Sequence, residues 1–163
     1  VGARLDYKEV ATDVSRIMRE LDGYARQSGL EPQLLGLVKV RASQINRCAY
    51  CIDMHTQDAR VKSETERRLY ALSAWQETPF YTERERAALL WTEVLTQLAS
   101  EDIGDDLYVL VREQFSEKEL VVLTLAVIAI NGWNRLGVAF RMAPGSYRPA
   151  THQGVSTAPE SPD

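Results

Sequence analysis

RCAYCIDMHTQDAR, residues 47–60, contains both cysteines of the chain and one of its two histidines. Cys48 and Cys51 are three residues apart, and His55 follows four later. On a helix turning 100° per residue, the three side chains fall within an arc of about 60°, a single stripe of one surface. One stripe implies one site. Asn46 is the expected N-cap, which places both thiols in the first turns, where free backbone N–H groups and the positive end of the helix dipole favour a thiolate. His55, one turn beyond Cys51, is placed to take the thiol proton directly or through a water. On this reading Cys51 attacks an oxidant and becomes a sulfenic acid, and Cys48 resolves it by closing a disulfide.

Three other readings of the stretch stand beside this one. A structural zinc site needs four ligands, and the chain offers two cysteines, His55 and the tail residue His152. A thioredoxin-type CxxC needs a βαβ setting, against which the helical pattern speaks. Buried, inert cysteines with a satisfied histidine are the usual case for isolated Cys residues, but they do not call for three reactive groups on one stripe.

Working outward, the flanking sequence is helical throughout, and no period-two alternation marks a strand. Val10, Val14, Ile17, Met18 and Leu21 follow the spacing of one buried face. Residues 33–45 are more uniformly apolar than that segment, as in a central helix, and 48–61 form the motif helix. The segment 64–75 reads as a further helix with Leu69, Leu72 and Trp75 inward. Thr82 with Glu85, and Ser116 with Glu119, are capping-box signatures that open helices over 83–99 and 118–141. From Pro144 on, Pro, Ser, Thr and Gly dominate. The expectation is an all-α fold, with one helical domain over 1–147 and an extended or disordered arm over 148–163.

At an offset of 85 residues the chain resembles itself. Leu35, Ile45 and Asn46 fall on identical Leu120, Ile130 and Asn131, while Leu37, Val38 and Val40 fall on Val122, Leu123 and Leu125. This suggests an internal pseudo-repeat, about 1–80 and 81–147, with the Ile-Asn step at a helix-helix turn in each copy. Cys48, Cys51 and His55 then correspond to Trp133, Leu136 and Phe140, so the second copy packs where the first reacts. Asn131, Trp133, Asn134 and Arg135 read as structural, with Asn131 capping a helix.

Composition bounds the function. The net charge of −4 and pI near 5.3 argue against nucleic acid as partner, since the Arg67–Arg68 pair is offset by Glu64 and Glu66. The longest apolar run, LVVLTLAVIAI at 120–130, is shorter than the roughly 18 residues of a membrane span and fits a buried helix better. Two cysteines do not make a disulfide scaffold, so a reducing, cytoplasmic setting is expected.

The run RASQINRCAYCIDMHTQDAR, with INGWNRLGVAF downstream, resembles the carboxymuconolactone decarboxylase-like superfamily, in particular its alkyl hydroperoxidase AhpD-like branch. The resemblance covers about Gly29 to Tyr147. It implies an all-helical fold with an internal repeat, homo-trimers or homo-hexamers, and peroxide reduction through the CxxC. Cys51 would be the peroxidatic thiol, Cys48 the resolving thiol and His55 part of a proton relay. No metal or bound organic cofactor is implied; electrons would come from an external dithiol, a lipoyl or thioredoxin-like donor. Lactone decarboxylation, or a non-catalytic redox-sensing oligomer, are the rival functions. In AhpD a relay glutamate stands twelve residues before the first cysteine, and here that position is Gly36. Glu85 and Glu93 are the candidate replacements, although Glu85 also serves the capping box. Tyr50, between the cysteines, lines the site or packs.

Overall fold

The computed structural model describes residues 2–150, and these contain helices and no strand. α1 (Tyr7–Val10), α2 (Thr12–Gln27), α3 (Pro32–Ile45), α4 (Ala49–Val61) and α5 (Glu66–Ala71) lead into a 3-10 turn at Leu72–Glu77. α6 (Glu83–Thr96), α7 (Asp105–Arg112) and α8 (Glu117–Ala139) complete the chain.

α3 is the central element because it is apolar on two sides. Leu34, Leu35 and Val38 join Ala88, Trp91, Phe115, Leu123 and Val127 in one core, while Leu37 and Val40 join Leu69, Leu72, Trp75 and Leu89 in a second. Each such leucine taken fully out of water contributes about 1.5–3 kcal/mol. α3 therefore packs against α4, α6 and α8 together, and this fixes the position of the turn that leads to the cysteines.

Local signals set the helix starts. Both capping boxes form: Thr82 accepts from Glu85 N–H while Glu85 accepts from Thr82 N–H, and Ser116 and Glu119 do the same. The inward positions Leu69, Leu72 and Trp75 are buried as expected, but the helix over 64–75 is α5 followed by the tighter turn, with Ala74 outside helical geometry.

Three expectations are corrected. The first amphipathic segment breaks at Ala11, which leaves helical backbone. Val10 then falls out of phase with α2, and both Val10 and Ile17 are exposed. Small Ser15 and Ala25 occupy the buried positions instead, where α2 lies against α8. Met18 packs so closely over Gly132 that a Cβ there would sit 2.7 Å from the Met18 methyl carbon.

Second, α8 runs unbroken through Ile130 and Asn131, so no turn interrupts the second copy and Asn131 caps nothing. The first copy breaks because Arg47 takes a left-handed backbone, φ 54°, whereas Gly132 stays helical. The offset still has a physical counterpart: Asn46 and Asn131, which it superposes, hydrogen-bond to each other across α3 and α8. Third, α8 is long and apolar enough to cross a membrane, yet Leu120, Val122, Leu123, Ala126, Val127, Ala129 and Ile130 lie in the protein core. The expected tail at 148–163 lies, from residue 151 onward, outside the described residues.

Candidate active site

The turn between α3 and α4 is tied down at every residue. Arg47 N–H donates to Gln44 C=O and Cys48 N–H to Ser43 C=O. Cys48, not Asn46, is the N-cap of α4, and its Sγ accepts from Cys51 N–H at 3.3 Å. Asn46 is instead drawn into a buried amide network. Its side chain donates to Oδ1 of Asn131 at 3.0 Å and of Asn134 at 2.9 Å, and Asn134 donates to Ser43 Oγ at 3.0 Å. Asn46 ends α3 in helical backbone, φ −77° and ψ −3°, whereas an N-cap needs extended backbone, which Cys48 supplies at φ −86° and ψ 93°.

Cys48 and Cys51 form a disulfide, S–S 2.06 Å. Both are buried, but only Cys51 lines the cavity beside α4. Behind them lies Gly137 of α8: a Cβ at this position would stand 2.8 Å from Cys48 Sγ and 3.3 Å from Cys51 Sγ. Gly137 was not among the candidate residues, and its only signal is a glycine inside a long helix, which costs stability unless something approaches closely. Gly137→Ala is expected to destabilise the oxidised protein by about 1–3 kcal/mol, since sulfur or helix must shift. A denaturant titration giving less than about 0.5 kcal/mol would show that the contact yields freely.

The cavity, about 370 Å³, has Cys51, His55 and Ile130 at its buried inner end, flanked by Lys39, Tyr50 and Trp133. His55 is 8% exposed and its Nε2 has no hydrogen-bond partner among the described residues. Burial first, and the Lys39 charge second, depress its pKa to about 3, so the imidazole is neutral at pH 7. Lys39 Nζ stands 2.5 Å from Asp22 Oδ1 of α2, and Asp22 also pairs with Arg26 at 3.2 Å. Burial lowers the Lys39 pKa against the opposing pull of Asp22.

The chain after α8 folds back over this face. Gly145 N–H donates to Asp53 Oδ2 at 2.7 Å and the Tyr147 hydroxyl to Asp58 Oδ1 at 2.6 Å, which puts Tyr147 on the cavity wall with its pKa raised to about 12 by burial and by Asp58.

The structure thus brings Cys48, Cys51 and His55 together and leaves the two glutamates elsewhere. Glu93 Oε1 accepts from Arg41 Nε and Trp75 Nε1, each at 2.7 Å, and Glu85 closes its capping box and pairs with Arg68 at 2.5 Å. Neither lines the cavity. Gly36 faces Ala59. Two carboxylates do reach the cavity: Asp58 of α4, which accepts from Tyr147, and Asp22, from a helix the motif did not implicate. Trp133, expected to be structural, lines the cavity as well, while Arg135 donates to Asn131. Among the described residues no group of three or more His, Cys, Asp or Glu side chains is arranged to hold a metal, and His152 lies outside them.

Comparison with known proteins agrees with this architecture. The profile of the Carboxymuconolactone decarboxylase family matches residues 12–94. YdfG of Bacillus subtilis (strain 168), an uncharacterised protein, is 44% identical over 139 residues, which cover 85% of this chain and 95% of YdfG. The crystal structure of ATU0492 from Agrobacterium tumefaciens, a protein of unknown function linked to antioxidant defence as AhpD, superposes with a TM-score of 0.86 at 38% identity, over 90% of this chain and all of the other. An alkylhydroperoxidase AhpD core from Ralstonia eutropha JMP134 shares the fold, with a TM-score of 0.75 at 18% identity over 85% of this chain and 74% of that one. The α3–α4 turn carrying the cysteines lies within the matched profile, and the chain belongs to the carboxymuconolactone decarboxylase family, in its AhpD-like branch.

Proposed function

We propose that the protein is a thiol-dependent hydroperoxide reductase, cycling between a Cys48–Cys51 dithiol and the disulfide. The observation that carries this reading is the asymmetry of the pair: Cys51 opens on the cavity beside His55, while Cys48 is enclosed against Gly137 and the start of α4.

In the reduced protein the Cys51 thiolate attacks the distal oxygen of a hydroperoxide. The O–O bond breaks, the sulfur becomes a sulfenic acid, and the alcohol leaves after taking a proton. Cys48 then attacks the sulfenic sulfur, forming the disulfide and releasing water. An external dithiol closes the cycle: it attacks the Cys51 sulfur through the cavity, expels Cys48 and is itself oxidised to a disulfide. Cys48 is suited to leave because Cys51 N–H donates to its sulfur. Lys39 supplies positive charge close to where the Cys51 thiolate forms. That thiolate would raise the pKa of His55, so the imidazole becomes a proton acceptor upon reduction.

The donor is a lipoyl or thioredoxin-like dithiol, the working form is a homo-trimer or homo-hexamer, and the setting is the cytoplasm; the reaction needs no metal and no bound organic cofactor. Incubation with an organic hydroperoxide and dihydrolipoamide is expected to consume both in equal amounts at many turnovers per chain. Consumption no faster than in the protein-free mixture would overturn the reading.

A further inference from the structure

The charge of the cavity opposes that of the chain. The protein carries a net −4, yet among the described residues Lys8, Arg19, Arg26, Lys39 and Lys62 line the cavity against two acids, Asp22 and Asp58. Both acids are engaged: Asp22 lies between Lys39 and Arg26, and Asp58 accepts from Tyr147. Lys8, Arg19 and Lys62 have no carboxylate within ion-pair distance among the described residues.

These charges are distributed along the depth of the cavity. Lys8, Arg19, Arg26 and Lys62 are exposed and form its rim, whereas the inner end holds Cys51, the unpartnered His55 Nε2 and the apolar wall of Ile130 and Trp133. A cationic rim around an apolar passage to the reactive sulfur is complementary to a small molecule with an apolar body, a reactive end and an anionic end.

We infer that the cavity selects anionic substrates, organic hydroperoxides that carry a carboxylate, with the carboxylate held at the rim by Lys62 and Arg19 and the peroxide presented to Cys51. This rests on the peroxidase reading for the chemistry but not for the recognition, so binding tests it separately.

The probes are the stable alcohols left when matched hydroperoxides are reduced: cumyl alcohol, which is neutral, and its para-carboxylate. Titrated calorimetrically into the oxidised protein, the carboxylate is expected to bind about 10-fold more tightly, as charge-assisted contacts at a partly enclosed rim allow. The preference is expected to shrink as ionic strength rises. It is also expected to fall to within about twofold in the double variant Arg19→Gln, Lys62→Gln, and to persist in Arg16→Gln, which removes a charge outside the cavity that pairs with Glu20. Equal affinities for the two alcohols, no detectable binding of either, or a preference that survives in the double variant would each overturn the inference. Because no turnover is involved, failure of the hydroperoxide assay leaves this result readable.

Discussion

Cys51→Ser is expected to lower hydroperoxide turnover by on the order of 10³-fold or more, whereas Cys48→Ser, without added thiol, should consume one equivalent per chain and stop. The asymmetry follows from where each sulfur faces. Cys51 lines the cavity, so a hydroxyl in its place leaves a group whose pKa is far too high to form the attacking anion at pH 7. Cys48 caps α4 and lies against Gly137, out of the substrate's reach. Its loss leaves the first step intact and removes the resolving thiol, so Cys51 is trapped as a sulfenic acid. Serine is itself a good N-cap, so the second variant keeps the start of α4. A sulfenic-acid probe that labels the protein after one equivalent of hydroperoxide should therefore mark Cys48→Ser strongly and Cys51→Ser not at all. Equal activity in the two variants, or labelling at Cys48 in place of Cys51, would reverse the assigned roles.

The parts of this site that were legible in sequence are those set by residues near one another in the chain. The stripe of Cys48, Cys51 and His55 needs only helical periodicity, and both capping boxes need only four consecutive residues. The parts that were not legible depend on which helix arrives from elsewhere. Asn46 has the side chain of an N-cap, but its backbone stays helical at the end of α3 while its amide N–H groups bond to α8, and Cys48 takes the cap. Glu93 and Glu85 are the carboxylates that helical spacing offers, yet each is held by arginine outside the cavity. Asp22 enters the site because α2 packs along α8 and brings it to Lys39, a fact about packing and not about pattern. The break at Ala11 belongs with these cases: the apolar spacing continues through it, while the backbone does not.

The same dependence on α8 makes Asn134 the structural residue with the largest expected effect. It is fully buried, accepts from Asn46 and donates to Ser43 Oγ, whose own hydrogen goes to Lys39 C=O. One side chain thus joins α8 to both the last turn of α3 and the turn that delivers Cys48. Asn134→Ala removes two hydrogen bonds, one buried and one partly buried, and opens a cavity in their place. The Asn46 amide keeps Asn131 as a partner and Ser43 keeps Lys39, which limits the penalty for unsatisfied groups. The cost is expected to be about 2–4 kcal/mol, read as a lower denaturant midpoint of the oxidised protein. Asn46→Ala alone and with Asn134→Ala completes a double-mutant cycle, in which a coupling of about 0.5–3 kcal/mol is expected for groups in direct contact. The loosened turn also exposes its sulfurs, so the reduced Asn134→Ala variant should be alkylated faster at Cys48 than the wild type. A loss below about 0.5 kcal/mol, with Cys48 alkylation unchanged, would mean that the apolar packing of α3 on α8 holds the turn without the amide network.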